Sequence, residues 1–182
     1  MTITLKEFKE LSKRTAPFLA SPTNKQEWNN IIANYSVGLV GEHLEYELEL
    51  TKVPLDGSDI SEELLDKAEG EVGDVLHYAV NLLNVLGEEY DESYTIKFLD
   101  AEDITEALKD ILEIHKKHIY HGHDFKKDEY IKALYIVISE FKNLYGNSLG
   151  YILQKNIDKL KKRYPEKFTT EDSIKRVDVW RS

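Results

Sequence analysis

Helix breakers are scarce in this sequence, and they fall in a few tight places. Its 182 residues include only 4 prolines and 9 glycines. Proline removes an amide donor and glycine carries a large backbone entropy, so each tends to mark a helix end. The breaks come at 16–22, at Pro54-Leu55-Asp56-Gly57-Ser58, at Gly87, around Gly122, at Gly146-Asn147 and at Pro165. Between them apolar residues recur every three or four positions, and no segment alternates as a strand would. The expected class is therefore all-α, an antiparallel four-helix core with extra N- and C-terminal helices.

Capping residues refine the limits. Thr4 and Glu7 have the form of a capping box opening a short helix toward Arg14. Asn24 with Glu27 opens a long helix through about Leu50, and Ser61 with Glu62 and Glu63 opens one lasting to Gly87. Further helices are expected over Asp103 to His118, Asp128 to Tyr145, and from a Ser148 cap to about Tyr164. The connection before Asp103 is polar, and no helix is assigned to it. We expect one domain over 1–168, with an active half at about 24–90, a second half at about 101–146 and a C-terminal helix at 148–164; a polar tail, 169–182, follows.

Composition excludes several functions. With no cysteine, disulfides, thiolate catalysis and cysteine zinc sites are ruled out. No apolar run approaches the roughly 20 residues of a membrane span, and Met1-Thr2-Ile3-Thr4-Leu5-Lys6-Glu7 lacks a signal-peptide core. A cytoplasmic protein with no membrane partner is expected. The formal charge of -10 disfavours nucleic acid as a partner, because that requires a basic surface. An anionic small molecule remains acceptable if bound cations reverse the local field.

The chain also resembles itself. The stretch from Glu42 to Glu49 and the Asp56-Gly57-Ser58-Asp59 loop can be laid over Ala107 to Ile114 and His121-Gly122-His123-Asp124. Leu82 to Gly87 then falls on Phe141 to Gly146. This reads as a duplicated helical hairpin, although any two amphipathic hairpins share some of the same pattern.

The candidate chemistry lies in Glu42-x-x-Glu45 on one helix and Glu71-x-x-Asp74 on the next. Residues three apart on a helix are neighbours, and a short loop makes the helices antiparallel, so the pairs can converge. Four converging carboxylates repel one another, and a hard divalent cation such as Mg²⁺ or Mn²⁺ relieves the conflict. On a helical wheel Val40, Leu44 and Leu48 form the aliphatic stripe of the first helix. Glu42 and Glu49 lie nearly opposite it and Glu45 between, as a merely solvated face would also look. On the second helix Ala68, Val72, Val75, Leu76, Ala79, Leu83 and Leu86 form the core stripe. Glu71, Asp74, Tyr78 and Asn81 share an arc along its edge.

With its flanking glycines, the motif runs Gly38-Leu39-Val40-Gly41-Glu42-His43-Leu44-Glu45, then Glu71-Val72-Gly73-Asp74-Val75-Leu76-His77-Tyr78. Here the sequence resembles the MazG-like branch of the all-α nucleoside-triphosphate pyrophosphohydrolases, relatives of the dimeric dUTPases and dCTP pyrophosphatases. Lys116 to Asp124 and Asn156 to Phe168 resemble MazG-like stretches too, so the likeness runs in patches over about 5–168. The chain departs from a single family repeat. Its acidic pairs sit in the first half, whereas its His-Gly-His loop and basic tail sit in the second. Under the internal alignment Ala107 stands opposite Glu42, Tyr130 opposite Glu71 and Ala133 opposite Asp74, and only Asp110, opposite Glu45, keeps an acid. A second half without metal binding, packed as a pseudo-subunit, is the expectation; the chain would act as a single-chain pseudo-dimer or as a homodimer.

The resemblance implies Mg²⁺-dependent hydrolysis of a (deoxy)nucleoside triphosphate to monophosphate and pyrophosphate, with Mn²⁺ a possible substitute. Glu42, Glu45, Glu71 and Asp74 would hold the metal, and one of them, Glu45 being a candidate, would position the attacking water. Tyr78 could meet the base or sugar, or simply pack at the core edge. Asn81 is a candidate sugar or base contact. Lys159 and Arg163, four apart on one face, could reach phosphate oxygens or form an ordinary basic surface. Trp28 and Trp180 read as packing residues. His115 and His118 could share a face for zinc, but a helix C-terminus already favours histidine. A di-iron bundle would require Glu-x-x-His twice, and the pattern is lacking. The rival functions are an inactive helical scaffold and a metal-binding or redox bundle.

Overall fold

The computed structural model describes residues 2–16, 22, 24–56, 58–97, 103–166, 168, 169, 171 and 173, with the side chains of 96 and 97 excepted. Gly57, Trp180 and most of the polar tail lie outside the described residues. The helices are α1 (Leu5–Ser12), α2 (Lys25–Leu50), α3 (Glu62–Val85), α4 (Glu92–Lys97), α5 (Ile104–His121), α6 (Lys127–Tyr145) and α7 (Leu149–Arg163). No strand occurs among the described residues, and the fold is all-α. No helix among them is long and apolar enough to cross a membrane.

Local chemistry accounts for most helix ends. The Thr4 hydroxyl accepts from the Glu7 amide at 3.2 Å while the Glu7 carboxylate accepts from the Thr4 amide at 2.8 Å, completing the box. The side chains of Asn24, Ser61 and Asp103 accept from the amides of Glu27, Leu64 and Thr105. Gly122 closes α5 in the left-handed region at φ 71°, where a side chain would strain the backbone. Three expectations need correcting. α1 ends at Ser12 and tightens into a 3-10 turn over Lys13–Thr15. Ser148 caps nothing: it belongs to a 3-10 turn, Gly146–Ser148, and its hydroxyl donates back to the Tyr145 carbonyl at 2.7 Å. The connection before α5 contains α4, secured where the Tyr90 hydroxyl meets that of Thr95 at 2.8 Å.

Helices α2 and α3 pair most extensively and α5 and α6 form a second hairpin. α3 lies against α6, and α2 against α5. α1 and α7 pack on α3 and on each other. The predicted stripe of α3 is buried from Ala68 through Leu86, facing α6 residues such as Leu134, Ile138 and Phe141 in one core.

Of the stripe expected on α2, only Val40 packs against the core, and the rest is wrong. Leu44 and Leu48 are 57% and 60% exposed, and the buried face instead carries Ile32, Tyr35, Ser36, Leu39, His43 and Tyr46. Its aromatic and polar members hid it from an aliphatic count. Tyr46 packs edge-on against Phe141 with ring centroids 5.2 Å apart, and Ser36 hydrogen-bonds the Tyr130 hydroxyl at 2.6 Å. Glu42 lies within about 60° of Leu39 and about 40° of Tyr46 around the helix axis. It therefore borders the core rather than opposing it.

Candidate metal centre

Two glycines let the acidic helices and their cover approach closely. A Cβ at Gly38 of α2 would overlap the ring of Tyr78 on α3. A Cβ at Gly73 would come within 2.9 Å of the Asn156 side chain on α7. Close contact at these points places the acidic turn of α2 beside that of α3, with α7 alongside. A cleft of about 430 Å³ opens there, bordered by Glu42, Glu45, Glu71 and Asp74 and by Lys155, Asn156, Lys159 and Arg163 of α7.

One carboxylate oxygen from each of Glu42, Glu45 and Glu71 lies within 4.8 Å of the others. Among the described residues this is the one such cluster of potential ligands. Burial, followed by the charges of Asp74, Glu45 and Glu71, pushes the Glu42 carboxyl up to about 8. Burial, then Asp74 and Glu45, pushes Glu71 up to about 7. Lys159 offsets part of this at both groups. Partly desolvated carboxylates that resist ionisation together are groups whose charge a cation would stabilise. Opposite ligands of a Mg²⁺ ion stand about 4.2 Å apart, so small side-chain rotations would bring this set into range. The donor set, all carboxylate oxygen, fits a hard divalent ion.

The remaining acids along the cleft have lysine partners. Asp66 pairs with Lys155, which also stands 3.7 Å from Glu69. Asp74 pairs with Lys159 through one oxygen and accepts the Asn156 amide at 2.7 Å through the other. Asp74 thus adjoins the trio without joining it.

Of the other candidates, Lys159 and Arg163 border the cleft. Tyr78 sits a turn beyond Asp74, partly buried, its ring edge-on to Tyr35 at 5.8 Å; burial, then Glu42, raises its hydroxyl to about 12. Asn81 does not reach the cleft. It is fully buried, donates to the His77 carbonyl at 2.9 Å and accepts from Asn84 at 3.2 Å, so its place on the α3 arc serves the interior. Asn156 was missed as a site residue, although its place three before Lys159 puts both on one face. The histidines form no shared cluster of ligands: His115 is buried beside Ser36, at 3.4 Å, and His118 meets the His123 carbonyl at 2.7 Å. Trp28 packs edge-on against Phe125 at 5.0 Å.

No protein-family model matches this chain, and no curated protein or solved structure is significantly similar to it.

Proposed function

We propose that this chain is a Mg²⁺-dependent nucleoside-triphosphate pyrophosphohydrolase, with Mn²⁺ able to replace Mg²⁺, acting in the cytoplasm. One observation carries the reading: three carboxylates crowd together on one side of a cleft whose other side presents Lys159 and Arg163. That combination suits a cation and a polyanion bound side by side. The likeness of the acidic motif and of Asn156 to Phe168 to the MazG-like enzymes supplies the reaction.

In this reading Glu42, Glu45 and Glu71 hold the ion, with Asp74 as a fourth candidate. The ion supplies Lewis-acid neutralisation of the triphosphate. Lys159 and Arg163 steer phosphate oxygens, Arg163 by its planar fork and Lys159 as a point charge. Glu45, exposed to solvent, accepts a proton from the attacking water as its oxygen bonds to the α-phosphorus. The bond from that phosphorus to the α–β bridging oxygen then breaks, and pyrophosphate leaves with the electron pair. Tyr78, one turn from Asp74, borders the place where sugar or base would lie. Hairpin α5–α6 acts as a pseudo-subunit that closes a four-helix unit around one site.

The test is to incubate the purified chain with each ribo- and deoxynucleoside triphosphate and Mg²⁺, and to assay pyrophosphate. Equal amounts of monophosphate and pyrophosphate are expected. Release of orthophosphate alone, or of nothing from any nucleotide, would overturn the proposal.

A further inference from the structure

Each oxygen of Asp74 already has a partner within the protein. One oxygen accepts the Asn156 amide at 2.7 Å, and Lys159 takes the other. The pair is sheltered, with Lys159 and Asp74 side chains only 16% and 24% exposed, so solvent screens it less than a surface ion pair. Asn156 is itself 4% exposed and is wedged against Gly73, where even a Cβ would come within 2.9 Å. Asp74 is therefore held toward α7. The Asn156 carbonyl oxygen is buried without a hydrogen-bond partner, an unsatisfied acceptor in an otherwise closed contact.

We propose that Lys159 is a resident counter-ion that holds Asp74 away from the metal, and that a bound polyphosphate draws Lys159 off and releases Asp74 as a ligand. The inference rests on the metal reading above and adds its regulation. A lysine can make this exchange because its charge rides on a flexible four-carbon stem. Asp74 and a phosphate oxygen compete for one ammonium, while Lys159 and the metal compete for one carboxylate. Each ligand thereby removes the obstacle to the other, and reciprocity of binding free energies makes the two cooperative. Metal alone would bind to three carboxylates; metal with substrate would find four.

The test is a double-mutant cycle on the full chain, read by calorimetric titration of Mn²⁺ without nucleotide. Lys159→Met keeps the apolar stem and removes the charge, and we expect it to tighten Mn²⁺ binding by about tenfold, within the usual range of coupling between sites. Asp74→Asn should cost the wild type little, under about threefold, yet remove most of the gain in the Lys159→Met background. The mirror measurement uses imidotriphosphate in EDTA. Asp74→Asn should tighten its binding, and Lys159→Met should abolish that gain. A Lys159→Met gain that persists beside Asp74→Asn would show plain charge repulsion and overturn the proposal, as would no gain at all. Glu45→Gln separates the two readings. If wild-type Mn²⁺ binding is absent, or unmoved by Glu45→Gln, the metal centre itself is lost; if Glu45→Gln weakens binding but the cycle is additive, only the counter-ion exchange fails.

Discussion

Hairpin α2–α3 turns acids toward a cleft, whereas α5–α6 puts packing at the matching places. Opposite Glu42 and Glu71, both partly exposed, stand Ala107 at 3% and Tyr130 at 0% exposure. Ala133, opposite Asp74, is also buried, and Asp110, opposite Glu45, faces solvent. The Tyr130 hydroxyl reaches across to Ser36 of α2, so the second hairpin braces the first. Carboxylates that repel one another weaken a fold, and buried apolar contact offsets that cost. The difference teaches that the work is divided: one hairpin carries the crowded acids, and the other braces it.

The largest expected effect would break that division outright. Glu45→Gln should lower pyrophosphate release by about a thousandfold or more, because a bound cation supplies several kcal/mol of charge stabilisation. Asp110→Asn, at the exposed position of α5 that the internal alignment sets opposite Glu45, should leave turnover within about twofold, as for an exposed surface change. Comparable losses at both would mean that α5–α6 also takes part in the chemistry.

Next is pH, where the crowded acids and the buried histidines pull in opposite directions. Glu42 and Glu71 have folded values raised to about 8 and about 7. Between their unfolded and folded values the native state binds more protons, so their contribution to stability falls as pH rises. His115 of α5, with His77 of α3, is pushed down to about 4 by burial. There the unfolded state binds more protons, and stability is lost as pH falls from about 6.5 toward 4. From pH 6.5 to 8 the acid effect is the larger, opposed only below about pH 7.5 by the histidines, whose unfolded rings are half protonated at pH 6.5. Without metal, Tm should drop over that window on the order of 5 °C, and millimolar Mg²⁺ should recover it. A metal-free Tm that is flat or rising there would show that the carboxylates do not crowd as described.

A smaller effect probes the contact that sets the acidic pairs side by side. Gly38→Ala drives a methyl into the Tyr78 ring and should cost about 1–3 kcal/mol, as overpacked sites do. Gly41→Ala meets nothing within 4 Å and should stabilise α2 by about 0.5–1 kcal/mol. Denaturant melts of the two variants check the pair; equal losses would mean that α2 and α3 meet differently.

The sequence made some of this readable and concealed the rest for physical reasons. The buried face of α3 is built from Ala, Val and Leu, so periodicity finds it. The buried face of α2 mixes Tyr35, Ser36, His43 and Tyr46 with its aliphatics, so hydropathy points to the wrong side. Caps at Thr4, Asn24 and Ser61 are contacts over three residues and were visible. The convergence of Glu42, Glu45 and Glu71 follows from helical spacing on two paired neighbouring helices. The Asp74–Lys159 contact spans 85 residues, and nothing local says that α7 lies on α3. Asn81 shares an arc with Asp74, but an arc fixes direction and not surroundings; α3 is buried all round at that level, so the amide is enclosed.

The smallest expected effects, at Leu44 and Leu48, bear on how α2 faces both ways, with Leu39 as the buried reference. Leu44 and Leu48 look outward, whereas Leu39 is fully buried. Leu39→Ala should therefore cost about 2–5 kcal/mol through lost transfer energy and the cavity left behind. Leu44→Gln and Leu48→Gln keep helix propensity and remove only solvated apolar surface, so each should fall within about 0.5 kcal/mol of wild type. Urea melts at two protein concentrations distinguish the cases. A loss of about 2 kcal/mol at Leu44, growing with protein concentration, would mean that a second copy covers this face; the bracing of α2 would then come from outside the chain as well as from α5–α6.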